Sequence, residues 1–162
     1  MSFVKFGYPV HHDMIMRSVL TIFVFWVLSA STQVLAAEAG IIKTVKGLVQ
    51  VERADGVIEA KVGDMVYGGD RVRVRGDGSA GISLKDETLL SVGPNSSMII
   101  VNFTYNPTTR EGQVETSILK GTLRFVTGLI GRLNPNAIKV TTPQATIGIR
   151  GTDFIVEVPD DE

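Results

Sequence analysis

The chain has 162 residues, with 16 lysines and arginines against 17 aspartates and glutamates, and it has no cysteine. This length is enough for one domain with a buried core. The nearly neutral charge balance gives no reason to expect a nucleic-acid partner. The lack of cysteine excludes disulfide bonds and cysteine-ligated metal sites.

An apolar segment dominates the N-terminal part of the chain. It covers Ser18–Ala37, follows Arg17 and contains small residues at its end. A positive charge, an apolar core and a small-residue exit are typical of a secretory signal peptide. We therefore predict a signal peptide over residues 1–36, cleaved after Ala36, and a mature exported domain over residues 37–162.

The same segment also fits a second hypothesis, an uncleaved membrane anchor, because about 20 apolar residues can span a bilayer. Polar residues such as Ser31 and Gln33 weaken this alternative. The stretch before the segment is long for a signal peptide, so Met14 or Met16 is an alternative start. The protein would contact a membrane only if the segment is retained. If it is removed, both histidines and the only tryptophan are lost with it.

After the apolar segment, short alternating runs of apolar and polar residues are separated by turns rich in glycine and aspartate. A period of two is typical of strands with one buried face. The predicted strands are, in chain order, 41–53, 57–62, 71–75, 80–84, 90–92 and 98–101. They are followed by a predicted loop over 102–112, a long hairpin over 114–127 with Gly121 at its tip or at a bulge, and a short helical turn within 129–133.

Two further strands are predicted around a glycine corner near the end of the sequence. Apolar residues alternate over 145–149 and over 154–158, and Arg150-Gly151-Thr152 lies between these runs. We expect the side chains of Ile147, Ile149, Phe154 and Val156 to lie in the core. No mature segment shows the apolar stripe of an amphipathic helix. The predicted fold class is therefore all-β, a single compact domain of short strands, in either a solenoid-like or a sandwich-like arrangement.

Four arginines are candidates for binding a partner. Arg71, Arg73 and Arg75 alternate with two valines, so they form a basic stripe on one strand face. Such a stripe is often just the solvated face of a half-buried strand, but it also attracts an acidic partner. Arg150 precedes Gly151 at the predicted corner, where its guanidinium is expected first to tie loop carbonyls together and second to contribute to a binding surface.

A series of short motifs resembles the FecR domain, a bacterial periplasmic module. The motifs are, in chain order, Gly47–Val51, Val62–Asp64, Gly69–Val72, Gly78–Ile82, Leu84–Ser96, Gly121–Phe125 and Thr142–Val156. The order of the motifs and the closing Arg150-Gly151-Thr152 with Phe154 make the resemblance specific. Glu87 departs from the family pattern, which has glycine after Asp86, so the turn at that position is expected to be of another type.

The resemblance implies an all-β domain located in the periplasm. The family is best known from transmembrane regulators of iron uptake, which carry a cytoplasmic anti-sigma segment and a further C-terminal signalling module. Here only a short stretch precedes the apolar segment, and the sequence stops soon after Val158. We therefore expect the domain and its compartment, but not control of a sigma factor. The alternative is an inner-membrane-anchored sensor that keeps Ser18–Ala37.

The mature sequence offers little catalytic chemistry. Without histidine or cysteine, the usual acid–base and nucleophilic sites cannot be built. A carboxylate pair such as Asp64 with Asp70, or a Ser–Lys pair such as Ser83 with Lys85, leaves an enzyme as a lesser alternative.

Aspartates beside glycines are typical turn caps, and no loop has the spacing of a calcium site. We therefore predict no catalytic residue, no metal and no cofactor. The predicted function is non-enzymatic binding of an unidentified protein or envelope polymer.

Overall fold

The alternating runs form strands, and the computed structural model describes residues 37–149 and 153–159. Within these residues the strands are β1 Glu38–Arg53, β2 Gly56–Glu59, β3 Met65–Tyr67, β4 Arg71–Leu84, β5 Leu89–Val92, β6 Ser97–Tyr105, β7 Gly112–Val126, β8 Ile138–Thr141, β9 Thr146–Gly148 and β10 Asp153–Val158. A single helical turn, α1, covers Leu129–Leu133, and a 3₁₀ turn covers Pro135–Ala137. The all-β prediction is confirmed.

The predicted signal peptide or anchor and the Arg150-Gly151-Thr152 corner lie outside the described residues, so both stay predictions of the sequence. Among the residues that are described, no helix combines the length and the apolar character that a bilayer crossing requires.

The strands form one hydrogen-bonded sheet in the order β2-β1-β4-β5-β7-β8-β9. β3 is added to β1, β10 to β7, and β6 pairs with both β4 and β7. Thus β5 and β6 both lie between β4 and β7. β6 pairs with the N-terminal halves of these two strands, and β5 pairs with their C-terminal halves. Within the described residues, β7–β8 is the one parallel pair. The pairing is therefore largely antiparallel, and it forms one sheet in place of the two packed sheets of a sandwich.

Two long strands continue where the sequence predicted turns. Gly76 has a φ of 57°, but β4 continues through it, because β1 pairs along both halves with a register shift between Lys46 and Leu48. The segment predicted as a hairpin over 114–127 is instead the single strand β7, and that prediction is wrong. Gly121 lies within β7 with a φ of 81°, next to a register shift, which agrees with the predicted bulge.

One hydrophobic core lies inside the curved sheet. A five-residue helix is too short to cover a ten-stranded sheet, so the sheet itself must curve around its apolar face. The largest fully buried side chains are Phe125, Ile42, Ile82, Leu90, Met98, Ile100, Ile118, Leu123 and Ile130. Ile149 and Val156 are buried as predicted, whereas Ile147 and Phe154 are only partly buried against the core.

The turn between β4 and β5 keeps a glycine-type backbone despite Glu87. Glu87 has a φ of 68°, so the expectation of another turn type is wrong. The buried Asp86 carboxylate accepts hydrogen bonds from Thr88 N at 3.1 Å and Thr88 Oγ1 at 2.8 Å. Thr88 Oγ1 accepts in turn from Gly128 N at 3.1 Å. This buried network fastens the start of α1 to the turn.

Candidate functional site

A row of polar side chains crosses four strands on the outer face of the sheet. Arg73 of β4 pairs with Gln50 of β1 on one side and with Ser97 of β6 on the other. Ser97 pairs in turn with Lys120 of β7. The two valines that alternate with the arginines are buried, so Arg71, Arg73 and Arg75 face away from the core, as the sequence predicted.

The arginines line a groove of about 690 Å³, the arginine groove. Its lining is Arg71, Arg73, Val74, Arg75, Asn95, Ser96, Ser97, Leu119, Lys120, Pro143, Gln144, Val158 and Pro159. Among the residues that the structure describes, this lining holds four basic side chains and no carboxylate. Its volume lies in the range of ligand pockets, about 300–1,000 Å³.

Distant parts of the sequence meet at the arginine groove because β8 and β10 pair with the same side of β7. β8 ends at Thr141, which is paired with Ser117, and β10 ends at Val158, which is paired with Gly121. The two strand ends therefore converge on the middle of β7. The turn after β8 and the residue after β10 supply Pro143 and Pro159 to the groove.

A single glutamate holds two of the three arginines. Glu52 Oε1 lies 2.9 Å from Arg73 Nε, and Glu52 Oε2 lies 3.7 Å from Arg71 Nη1. Arg75 Nε donates to Gln50 Oε1 at 3.1 Å. Within the described residues, the terminal guanidinium nitrogens of Arg73 and Arg75 meet no acceptor. These nitrogens are donors that a ligand can use.

Two buried polar atoms at the groove lack an aligned partner among the described residues. They are Ser97 Oγ and Arg73 Nε, whose contact with Glu52 is an ion pair without hydrogen-bond alignment. The two atoms lie on paired neighbouring strands, so they add two polar groups to the same part of the groove. The adjacent Ser96 is different, because its Oγ accepts from Thr122 N at 2.8 Å and donates to Pro94 O at 2.9 Å.

The carboxylates proposed for an enzyme or a metal have other roles in the structure. Asp70, which is 3% exposed, accepts from Arg53 Nε and from Tyr67 N. Asp64 accepts from Lys61 N at 2.7 Å and so caps a turn. In the described part of the chain, no group of three or more acidic or histidine side chains is placed to hold a metal ion.

The Ser–Lys pair is not assembled as a reactive pair. Ser83 lies within β4, paired with Ile41 on one side and with Leu89 on the other. Lys85 Nζ lies 3.0 Å from Glu38 Oε2, so its charge is used in a surface ion pair. Arg150, the fourth binding candidate, lies outside the described residues, so its role in binding stays a prediction from the sequence.

Comparisons with known proteins identify the family of this β-domain. The family model described as FecR protein matches residues 70–162, which is more than half of the chain. The chain belongs to the FecR family. This family is regulatory or signalling in character.

A solved structure titled "Cell surface anchoring domain" is also similar to the chain. The two are 31% identical, the match covers 38% of this chain and 82% of the other, and the TM-score is 0.36. No curated protein matches the chain.

Sequence reasoning found one wall of the arginine groove and missed the others. The FecR match begins at Asp70 and so includes the arginine stripe. Ser97, Lys120 and Gln144 were not predicted as binding residues, because none of them lies beside a charged residue in the sequence. Only the cross-strand register and the convergence of β8 and β10 bring them to the arginines.

Proposed function

We propose that this FecR-family protein is an exported, non-enzymatic binding domain that acts in the bacterial periplasm or cell envelope. It binds an acidic macromolecular partner in the arginine groove. The observation that carries the proposal is the set of guanidinium donors of Arg73 and Arg75 that no described residue uses, in a groove whose described lining has no carboxylate. Guanidinium groups form strong, often bidentate hydrogen bonds with carboxylates and phosphates, which gives such a groove selectivity for anions.

The proposed compartment depends on the N-terminal segment. The family and the predicted signal peptide over residues 1–36 both support the periplasm. Mass spectrometry of the protein from a bacterial envelope fraction should give an N-terminus at Ala37. An intact Ser18–Ala37 segment in the membrane fraction would instead select the membrane-tethered sensor.

Capture of envelope partners tests the groove directly. The full chain is expressed with its own leader, and wild type is compared with a triple Arg→Ser variant at Arg71, Arg73 and Arg75. The matched control is a triple Lys→Ser variant with the same charge change at exposed positions outside the groove lining. Its substitutions are at Lys43, Lys46 and Lys61.

We expect the arginine variant to lose partners that wild type and the lysine control both retain. Binding by wild type should weaken as ionic strength rises beyond about 0.15 M, where charges are screened over about 8 Å. If the arginine variant captures the same partners as wild type, the proposed function is wrong. Turnover of a small substrate without any captured partner would favour the enzyme alternative.

A second binding mode is favoured by one observation, the unpaired edge of β10. In the described residues β10 pairs with β7 only, and Ile155 on this strand is 66% exposed. An exposed edge strand can accept a strand from a partner through backbone hydrogen bonds. Binding at this edge would persist in the triple arginine variant and would change little with salt.

A further inference from the structure

The spacing of the arginines sets a length scale for the ligand. Arg71, Arg73 and Arg75 are alternate residues of β4, and alternate residues of a strand repeat about every 6.6 Å. An extended peptide that runs along β4 presents its own alternate side chains at the same spacing. Acidic residues at every second position of such a peptide therefore match the arginines one to one.

The chemistry of the groove also favours a peptide over other polyanions. Leu119, Val158 and the two proline rings, Pro143 and Pro159, line it together with the cationic residues. A phosphorylated or sulfated polymer would match the cations but would leave these apolar surfaces uncovered. A peptide supplies carboxylates and apolar side chains on one chain, and both kinds of surface gain from its binding.

The arginines are held in place before a ligand arrives. Glu52 contacts both Arg71 and Arg73, and Gln50 accepts from Arg75 Nε, so each of the three guanidinium groups has a partner on β1. The terminal nitrogens of Arg73 and Arg75 remain unused by the described residues. Preorganised donors lose less conformational freedom on binding, and they also make the spacing of the ligand's carboxylates matter.

We infer that the ligand of the arginine groove is an extended acidic peptide segment with Asp or Glu at alternate positions and apolar residues between them. This inference rests on the proposed function and names the class of partner. It requires that affinity depend on the order of the residues in the peptide, in addition to its charge.

Two synthetic peptides separate order from charge. One is a blocked hexapeptide of alternating valine and aspartate, and the other has the same composition with its three aspartates contiguous. Calorimetric titration into the full-length gene product, purified as the cell processes it, should show at least about tenfold tighter binding of the alternating peptide. A tenfold ratio corresponds to about 1.4 kcal/mol.

Variants of the protein test whether the arginine groove causes the difference in affinity between the two peptides. The triple Arg→Ser variant should lose both peptides, whereas the Lys43, Lys46, Lys61 control should bind them like wild type. Arg73→Lys keeps the charge but lacks the planar guanidinium, so it should reduce the preference between the peptides to less than about threefold. Circular dichroism of each variant checks that the β-fold is retained.

Several outcomes would overturn the inference. Equal affinity for the two peptides would mean that the groove responds to charge alone. Binding of a polyuronate or an inorganic polyphosphate with neither peptide bound would identify a polymer ligand. In both cases arginine-dependent capture of an envelope partner would leave the proposed function intact, whereas loss of that dependence would remove both.

Discussion

A single arginine at the end of β1 and the three arginines of the stripe on β4 lie close together in this protein but have different contacts. Arg53 is at the end of β1, and its Nε lies 3.0 and 3.1 Å from the two carboxylate oxygens of Asp70. Its Nη2 donates to Met65 O, and its guanidinium carbon lies 4.9 Å from the centre of the Tyr67 ring. These contacts join the end of β1 to β3 and to the start of β4. We term the four residues Arg53, Asp70, Met65 and Tyr67 the Arg53 clamp.

The arginine stripe begins one residue after Asp70 but is built differently. Arg73 has a side chain that is 38% exposed, against 23% for Arg53. Its ion-pair partner, Glu52, is shared with Arg71 and leaves the terminal nitrogens without acceptors among the described residues. Donors that the protein itself uses stabilise the fold, and donors left at a groove are available to a ligand. Arg53 and Arg73 are the same residue type and contact neighbouring residues, so neither feature tells a structural arginine from one that is available for binding.

The largest expected effect concerns the Arg53 clamp. Asp70→Ala leaves the partly buried guanidinium of Arg53 without its carboxylate and Tyr67 N without an acceptor, so the free energy of unfolding should fall by about 3 kcal/mol. Urea unfolding followed by circular dichroism measures this. Asp64→Ala, which removes only a turn cap on Lys61 N, should cost about 1 kcal/mol. Equal losses would show that burial of the clamp contributes nothing.

A conservative substitution should distinguish the two groups with a smaller effect. Arg53→Lys keeps the charge but loses the planar fork and the stacking over Tyr67, which should cost about 1–2 kcal/mol. Arg73→Lys should stay within about 0.5 kcal/mol of wild type, as surface substitutions usually do. Denaturation midpoints of the two variants give the answer, and the reverse order would refute the assignment of roles.

Removal of the whole stripe should affect binding far more than stability. The triple Arg→Ser variant at Arg71, Arg73 and Arg75 breaks only exposed or half-exposed interactions with Glu52 and Gln50, so it should cost less than about 1 kcal/mol. Thermal unfolding beside the capture experiment provides the measurement. A loss as large as that of Asp70→Ala would mean that the stripe is a structural element.

The smallest effect is expected for an arginine that forms an ion pair at an exposed position. Arg124 on β7 binds Asp153 on β10 at 2.6 and 3.0 Å, and its hydrogen bonds lower the pKa of Asp153 below its ordinary value. A lowered carboxyl pKa means that the pair stabilises the fold above the unfolded pKa, which is about 4, and loses this effect as pH falls through the folded pKa.

The melting temperature of Asp153→Asn should therefore lie slightly below that of wild type at pH 7. The difference should shrink toward zero as the solution is acidified past the folded pKa of Asp153. A difference that is independent of pH would show that the ion pair is not its cause. High salt should reduce the difference at pH 7, because an exposed pair is screened.

Much of the local structure was predictable because it depends on neighbours in the sequence. The alternation around Arg73 assigned the buried valines and exposed arginines correctly, and the helical turn was placed at Leu129–Leu133. A turn was predicted between residues 53 and 57, and the β1–β2 hairpin turns there, at Ala54 and Asp55. These features follow from periodicity and turn chemistry, which act over a few residues.

Where local signals failed, a distant contact decided the outcome. Gly76 was predicted to end a strand, but β1 pairs on both sides of it and keeps β4 continuous. Glu87 adopts the φ of a glycine because the buried bonds of Asp86 and Thr88 hold the turn. Asp70 was predicted as a candidate carboxylate for catalysis, but its carboxylate is paired with Arg53, which lies 17 positions earlier in the sequence.

Short-range patterns in the sequence are enough to predict an all-β domain of the FecR type and the face on which Arg71, Arg73 and Arg75 lie. That this face lines a groove follows from the packing of distant segments. The groove exists because β8 and β10 end beside the same part of β7 and bring Pro143 and Pro159 to the arginines. Strand register between distant segments is set by the packing of the whole core, and no short stretch of sequence contains it.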